Sequence, residues 1–339
     1  MASADARRTE SGPGSMPYLI FIVIGYSISS SCLTILNKYA MVVFPFAGFL
    51  TAFQFLTSAA AVWLLGKMGY LTVEGLQWDT VKAFLPAVIL YYVSIFTNTK
   101  VLEYANVDTF IVFRSACPIA VAVIEVFVLK SPWPNPYTGA ALFVILLGAI
   151  AYVLFDSEFD VRSYSWATAY VCAMTTDMVL IKKIVNEIGL STWGLVYYNN
   201  LLAFLMFPIA TFLTGEMSRA VYSDAEKPAG LGSLAQFEVL WPVLLSCLGG
   251  LSISFFGFSC RKAFSATAFT VVGVVNKFGT VFINTTIWAR HATPGGICSM
   301  LVCIGGGVLY QQSFKMNARP RPLPAKDVEN SSGIPSQPK

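Results

Sequence analysis

The chain has 339 residues, of which 56% are hydrophobic and 12% are charged. A soluble domain carries about 25% charged residues, so the composition excludes a mostly soluble protein and favours one built from membrane-spanning helices. The net charge of +4 is too small to suggest a nucleic-acid-binding protein. A single histidine, His291, does not make a metal site, and we predict neither a metal nor a cofactor.

Ten apolar runs follow one another along the chain, each close to the length of about 20 residues that crosses a bilayer as a helix. They lie at residues 17–40, 45–66, 83–102, 107–129, 137–155, 163–186, 190–214, 238–260, 266–288 and 294–313. We predict an all-α membrane protein with ten transmembrane helices. The ten-helix domain spans 17–313, with polar tails at 1–16 and 314–339.

Basic residues are distributed unevenly between the two sides of this arrangement. With the amino terminus in the cytosol, fourteen Lys and Arg residues fall on the cytosolic side and five on the other. Cytosolic loops carry the excess of basic residues, and an even number of spans returns the chain to its starting side. Both termini are therefore predicted to be cytosolic. Arg261 and Lys262, after the eighth run, count among the cytosolic basic residues.

The two halves of the chain show weak similarity at a nearly constant spacing. Asn106–Phe110 and Ser265–Phe269 open the fourth and ninth runs at an offset of 159 residues. Gly148–Tyr152 and Gly306–Tyr310 match within the fifth and tenth runs at an offset of 158. A repeat of five spans is inverted in its second copy, and inverted repeats are typical of alternating-access transporters with a site near the midplane. A chance match of apolar sequence is the alternative.

Lys277 lies midway along the ninth run, where a charge is costly unless it meets a partner or water. We predict that Lys277 pairs with a substrate phosphate and that Asn276 or the backbone of Gly273 contacts a sugar. The alternatives are a permanent ion pair of Lys277 within the bundle and plain small-residue helix packing at Gly273.

Two adjacent carboxamides, Asn199 and Asn200, interrupt the seventh run directly after Tyr198. A carboxamide offers donors and an acceptor, as the edge of a nucleobase does, so we predict that both contact a base. Tyr198 would stack on or hydrogen-bond the same ligand, and Ser254 in the eighth run would add a contact. The alternatives are hydrogen bonds between helices for the asparagines, aromatic packing for Tyr198 and a backbone hydrogen bond for Ser254.

Two further charged residues lie inside apolar runs. Arg114 in the fourth run suits bidentate phosphate recognition, with snorkelling or a pair with Asp108 as the alternative. Asp177 lies midway along the sixth run, and an intramembrane acid is a functional hypothesis by default. Because the expected ligand is anionic, we predict that Asp177 is a partner for a basic residue or part of a gate.

Three other charged residues lie near predicted helix ends. Lys38 and Lys100 fall near lumenal ends, where they would snorkel or form a gate. Glu125 lies near the cytosolic end of the fourth run, and we expect it to be exposed to water. No nucleophile–base pair or glycine-rich phosphate loop is present in the sequence, so binding and release are expected in preference to an enzymatic reaction.

The stretch Tyr197–Asn200 resembles the Phe/Leu-Tyr-Asn-Asn motif of GDP-sugar transporters, and Gly273–Lys277 resembles their Gly-x-x-Asn-Lys motif. Both motifs belong to the nucleotide-sugar transporters of the drug/metabolite transporter superfamily. Further similarity to the plant-type Golgi GDP-fucose transporters occurs at Ile95–Thr99, Ala105–Ser115, Ser265–Asn276 and His291–Pro294. The similarity runs from the first span through Gln312, and Tyr197 departs from the motif.

This resemblance implies two inverted five-helix repeats in the Golgi membrane that exchange cytosolic GDP-sugar for lumenal GMP. It assigns the guanine to Asn199 and Asn200, and the ribose, phosphate and sugar to Gly273, Asn276 and Lys277. GDP-fucose is the expected substrate, with GDP-mannose, GDP-galactose or a phosphate/phosphosugar exchange as alternatives. A membrane receptor or scaffold without transport also stays open.

The run Gly305–Gly307 could pack within the bundle or between two protomers of a homodimer.

Overall fold

A computed structural model describes residues 15–104, 107–155, 161–221, 231–287 and 294–317, and nearly all of them lie in ten long α-helices. The helices are α1 (Met16–Val43), α2 (Ala47–Lys67), α3 (Trp78–Tyr104), α4 (Val107–Val128), α5 (Pro136–Phe155), α6 (Val161–Ile188), α7 (Thr192–Leu213), α8 (Phe237–Ala263), α9 (Ala266–Ile287) and α10 (Pro294–Asn317). A short helix, Glu216–Val221, and a 3-10 turn, Leu231–Ala235, lie between α7 and α8. Each predicted apolar run corresponds to one long helix, which confirms the all-α prediction for these residues. The predicted tails lie largely outside the described residues.

Five helical segments are long and apolar enough to cross a membrane: Met16–Val43, Ala47–Lys67, Trp78–Asn98, Thr192–Leu213 and Phe237–Ala263. Shorter apolar helical stretches occur within α4, α5, α9 and α10. Large apolar side chains cover the outside of the bundle, and some are more than half exposed, as Phe21, Phe127 and Phe212 are. An exposed apolar surface of this kind suits lipid rather than water. These features indicate a multi-pass membrane protein.

The contacts between the long helices relate the first five helices to the last five. The most extensive contacts are those of α5 with α10, α1 with α8, α3 with α6, and α2 with α7. The contacts of α4 with α9 and of α2 with α8 come next and are equally extensive. The first five helices can be exchanged with the last five in chain order, α1 with α6, α2 with α7 and so on. This exchange converts the pair α1–α8 into the pair α6–α3. It returns the pairs α5–α10, α2–α7 and α4–α9 to themselves, and it converts α2–α8 into α7–α3, which also pack together.

The α5–α10 crossing shows the same relation between individual residues. A Cβ atom added to Gly148 would lie 3.0 Å from the backbone nitrogen of Cys303, and one added to Gly306 would lie 2.9 Å from that of Ile145. Gly148 and Gly306 are 158 positions apart, as are Ile145 and Cys303. Each glycine therefore lets its helix approach the equivalent position of the other helix.

Two glycines of the run Gly305–Gly307 pack within the bundle. Gly306 faces Ile145 of α5, and an added Cβ on Gly307 would overlap Val275 of α9. An added Cβ on Gly305 would meet no atom within 4 Å. Packing inside the bundle accounts for the second and third glycines.

Glu125 differs from the sequence-based expectation. It is 5% exposed rather than open to water. Its carboxylate accepts hydrogen bonds from the backbone nitrogens of Ala266 (3.1 Å) and Thr267 (3.0 Å), and from the hydroxyl of Thr267 (2.6 Å). The first amides of a helix have no partners within the helix, and a carboxylate there is favoured by the helix dipole. Glu125 therefore fixes the amino end of α9 against α4.

Candidate functional site

A cavity of about 340 Å³ lies in the middle of the bundle, and we call it the central cavity. Within the described residues it is lined by side chains from every long helix except α5 and α10. Its volume lies in the range of about 300–1,000 Å³ that is usual for small-molecule sites. Among the polar and charged residues that line it are Tyr26, Gln54, Asn98, Arg114, Asp177, Asn199, Asn200, Ser254 and Arg261.

Both adjacent asparagines of α7 line the central cavity. The side-chain nitrogen of Asn200 donates to the backbone oxygen of Val196 at 2.7 Å, and its oxygen accepts from the hydroxyl of Ser254 at 3.4 Å. These bonds orient the buried amide of Asn200. Asn199 is half-buried and makes no hydrogen bond with the residues that the structure describes. Its donors and acceptor are available to a ligand.

The guanidinium of Arg114 also lines the central cavity. Its Nη1 donates to the hydroxyl of Tyr170 on α6 at 2.9 Å, which holds the charged group in place. The predicted alternative partner, Asp108, lies outside the residues whose side chains are described.

Gly273 of α9 lines the same cavity. A Cβ atom added to it would lie 3.7 Å from the hydroxyl of Tyr26 on α1, which is ordinary van der Waals contact. The ring of Tyr26 packs against that of Phe269 with 5.2 Å between the centroids. The first residue of the Gly-x-x-Asn-Lys stretch therefore opens directly onto the cavity, close to an aromatic wall.

The other residues of that stretch lie further along α9. The side-chain oxygen of Asn276 accepts a hydrogen bond from the hydroxyl of Ser31 on α1 at 3.4 Å, and Asn276 is not part of the cavity lining. The backbone of Lys277 is helical within α9. The side chains of Lys277 and Lys38 lie outside the part of the chain whose side chains are described.

Asp177 of α6 lines the central cavity and is 6% exposed. It makes no ion pair or hydrogen bond with another described residue, although it lies within electrostatic range of Arg261. Lys100 lies outside the cavity lining, with its Nζ 5.9 Å from the centroid of the Tyr104 ring.

Tyr198 lies away from the cavity, unlike the two asparagines that follow it. It is fully buried, and its ring stacks on Phe84. Its hydroxyl donates to the backbone oxygen of Gly75 at 2.6 Å and accepts from the backbone nitrogen of Gln77 at 2.7 Å. The structure gives this side chain a role in holding the α2–α3 connection on α7.

Arg261 is a cavity residue that was not predicted as one, because the sequence places it beside Lys262 at a cytosolic helix end. The two side chains point in different directions. Lys262 is exposed and donates to the backbone oxygen of Leu190 at 2.9 Å, whereas Arg261 lines the cavity. Adjacent residues on a helix point about 100° apart. The sequence alone does not show which of the two faces inward, because both could lie on the outer side of the helix.

The central cavity therefore combines carboxamides, two guanidinium groups and one carboxylate. The basic side chains exceed the acidic ones among the described lining residues. Such a site suits an anionic ligand that also carries a hydrogen-bonding base, because guanidinium groups bind phosphate and carboxamides pair with base edges.

The chain is similar to known proteins over nearly its whole length. The GDP-fucose transporter 1 of Arabidopsis thaliana is 49% identical over 91% of this chain and 89% of its own length. The GDP-mannose transporter GONST3 of the same plant is 47% identical over 92% and 84%. The Arabidopsis UDP-galactose/UDP-glucose transporter 7 is 26% identical over 89% and 91%.

The fold has a counterpart among solved structures. A crystal structure matches 90% of this chain and 100% of its own with a TM-score of 0.63, at 14% sequence identity. At that identity the match concerns the fold alone. No protein-family model matches the chain.

Proposed function

The chain belongs to the family of nucleotide-sugar transporters, and from this premise we propose that it transports a GDP-sugar, with GDP-fucose as the preferred substrate. Cytosolic GDP-sugar exchanges for lumenal GMP by alternating access across the Golgi membrane. The observation that carries the proposal is the placement of Asn199 and Asn200 in one cavity with Arg114 and Gly273.

The binding roles follow from the chemistry of these side chains. Asn199 and Asn200 contact the guanine, and Ser254 supports them through its hydrogen bond to Asn200. Arg114 contacts a phosphate, and Gly273 leaves room for the ribose or sugar. Asn276 and Lys277 lie two and three positions beyond Val274, the last cavity-lining residue of α9. When the helices move, Lys277 contacts a phosphate and Asn276 contacts the sugar. Tyr198 supports the site indirectly, because its hydrogen bonds to the α2–α3 connection position α7.

We propose ten membrane spans in two inverted repeats with both termini in the cytosol. The pairing rule of the helices and the shared 158-residue shift at the α5–α10 crossing support the repeat. Segments predicted to lie on one side also touch each other. Glu74, from the cytosolic α2–α3 connection, bonds to Ser191 at the cytosolic start of α7, and the lumenal Glu216 bonds to Gly48 at the lumenal start of α2.

The charges of the cavity explain why exchange would be coupled. Among the described residues, closing an empty cavity buries two guanidinium groups against one carboxylate in a low dielectric, with no bound anion to balance the charge, which is unfavourable. A bound phosphate removes that penalty, and GMP retains both the guanine and a phosphate. GMP can therefore support the return step, whereas an empty carrier returns slowly.

Counterflow into proteoliposomes tests the proposal. Purified protein is reconstituted with internal GMP, and uptake of GDP-fucose, GDP-mannose, GDP-galactose and UDP-galactose is measured. We expect uptake of GDP-fucose to exceed that of the others and to fall strongly in vesicles without GMP. Equal uptake of UDP-galactose would contradict the guanine assignment, and brisk uptake into empty vesicles would contradict coupled exchange.

GDP-mannose is the second candidate substrate, because a GDP-mannose transporter is nearly as similar to the chain as a GDP-fucose transporter. Uptake of GDP-mannose equal to that of GDP-fucose would favour a broader GDP-sugar transporter. A phosphosugar exchanger would not need the asparagines, so full transport by an Asn200→Ala variant would favour that activity.

A further inference from the structure

Arg261 places a charged side chain in the central cavity, and this side chain makes no hydrogen bond to any residue whose structure is described. Its Nε is buried and has no partner, and its guanidinium makes no hydrogen bond or ion pair with the residues that the structure describes. Buried polar groups in folded proteins are almost always hydrogen-bonded, and each exception calls for an explanation. A ligand that accepts hydrogen bonds supplies one here.

The surroundings of Arg261 hold its guanidinium plane without occupying its edges. The central carbon lies 4.8 Å from the centroid of the Phe269 ring and 5.2 Å from that of Phe258. Aromatic faces attract a guanidinium, but they accept none of its in-plane hydrogen bonds. The edges are what a phosphate binds, through two parallel N–H donors. The two rings therefore contact the face of the Arg261 guanidinium, and its edge can donate hydrogen bonds to an anion.

The two arginines of the cavity differ in this respect. Arg114 already donates to the hydroxyl of Tyr170 at 2.9 Å, whereas no such bond restrains Arg261. Phe269, which packs against Arg261, also packs against Tyr26, and the hydroxyl of Tyr26 lies 3.7 Å from a Cβ added to Gly273. Arg261 therefore shares one wall of the cavity with the Gly-x-x-Asn-Lys stretch.

Asp177 supplies a charge of opposite sign in the same cavity. It lines the cavity with Arg261, lies within its electrostatic range and makes no ion pair with it. A carboxylate in the same cavity offsets part of the cost of burying a guanidinium. Because it does not bond to Arg261 directly, a stronger anion can take its place.

We propose, building on the function proposed above, that Arg261 binds a phosphate of the transported nucleotide and that Asp177 is its counter-charge in the empty cavity. The ligand phosphate makes the direct hydrogen bonds to the guanidinium edge that Asp177 does not make. Asp177 thereby weakens binding of every phosphorylated ligand, which favours release on the far side of the membrane.

Ligand binding by the purified full-length protein in detergent tests this assignment, with GDP, guanosine and UDP as probes. The key quantity is the ratio of GDP affinity to guanosine affinity, because the two ligands share a base and differ in phosphate. We expect Arg261→Gln to lower GDP affinity by about tenfold or more while guanosine affinity stays close to that of the wild type. Arg261→Lys keeps the charge but loses the two parallel N–H donors. Its GDP affinity should lie between those of the wild type and Arg261→Gln.

Lys262→Gln is the matched control, since it removes a positive charge from the next, exposed position of the same helix end. It should leave the ratio unchanged. An Arg261→Gln protein with the wild-type ratio would overturn the assignment of Arg261. A different result would contradict the proposed function: equal affinity of the wild-type protein for GDP and UDP.

Asp177→Asn gives an independent measurement that keeps Arg261 in place. Without the counter-charge, GDP affinity should rise severalfold while guanosine affinity stays constant, and the rise should vanish in the Asp177→Asn/Arg261→Gln double variant. An unchanged or lowered ratio of GDP to guanosine affinity in Asp177→Asn would overturn the counter-charge role.

Discussion

Glu74 and Glu216 form two reciprocal caps on the packed helices α2 and α7. Glu74 follows α2, and its carboxylate accepts from the backbone nitrogen of Ser191 at 2.7 Å, at the start of α7. Glu216 follows α7, and its carboxylate accepts from the backbone nitrogen of Gly48 at 2.8 Å, at the start of α2. The packed pair α2–α7 is therefore tied at both ends by exchanged carboxylates, which is the relation expected of two inverted halves.

Glu216→Ala should destabilise the protein, because three hydrogen bonds to the backbone of Gly48 and Phe49 disappear at a buried helix end. Losing a helix cap costs about 0.5–2 kcal/mol, and unpaired buried amides add to this. We expect the free energy of unfolding to fall by about 2 kcal/mol, measured by thermal unfolding in detergent. Glu238→Ala is the control, since Glu238 lies exposed in the first turn of α8. Equal losses in both variants would contradict the capping role.

Tyr198→Phe should reduce stability without changing nucleotide preference. The variant loses the hydrogen bonds of the hydroxyl to Gly75 and Gln77 but keeps the ring stacked on Phe84. A hydrogen bond contributes about 0.5–1.5 kcal/mol, and two are lost. The check is a thermal melt together with the ratio of GDP to UDP affinity. A changed ratio with an unchanged melting temperature would instead indicate direct contact with the ligand.

Tyr198 and Arg261 show why the site could be predicted only in part. The sequence singled out Asn199 and Asn200 as a polar pair inside an apolar run, and both line the cavity. Which neighbouring side chain faces inward depends on the rotation of the helix, and that is set by packing. Tyr198 points to the α2–α3 connection, and Arg261 points inward although Lys262 beside it is exposed.

Asn199→Ala should weaken binding of guanine nucleotides selectively. The carboxamide of Asn199 lines the cavity without a hydrogen bond to described residues, so its removal leaves no broken network behind. We expect GDP affinity to fall about tenfold while UDP affinity changes little, measured by ligand binding in detergent. Asn186→Ala, on an exposed face of α6, is the control. A parallel loss of GDP and UDP affinity would mean that Asn199 does not distinguish bases.

The helices themselves were predicted more fully than the site. Long apolar runs determine helices in a bilayer because each backbone polar group must be bonded internally. The position of Glu125 could not be predicted in this way, since its buried cap on α9 depends on a contact across 141 residues. Long-range capping contacts of this kind leave no local sequence pattern.

Gly273→Ala should reduce transport with little effect on stability. The added methyl would lie 3.7 Å from the nearest protein atom, the hydroxyl of Tyr26, so the fold accommodates it. It would, however, occupy space on the cavity wall where the ligand is proposed to lie. Initial rates of GDP-sugar counterflow should fall severalfold with an unfolding temperature near that of the wild type. Wild-type rates would show that the ligand does not approach α9 at this residue.

Gly148→Ala and Gly306→Ala should each destabilise the protein, and by similar amounts. A Cβ on Gly148 would lie 3.0 Å from the backbone oxygen of Ser299, and one on Gly306 would lie 3.2 Å from that of Ala141. Backbone atoms cannot move aside as a flexible side chain can, so the crossing must widen, and overpacking of this kind costs about 1–3 kcal/mol.

Thermal unfolding of the two single variants and of the double variant measures the symmetry of this crossing. Similar single losses are expected, because each methyl meets the atoms at the corresponding positions of the other helix. The double variant should lose less than the sum, since one widening of the α5–α10 contact accommodates both methyls. Gly305→Ala is the control, as its added Cβ meets no atom within 4 Å. Strictly additive or very unequal losses would mean that the two glycines do not form one symmetric contact.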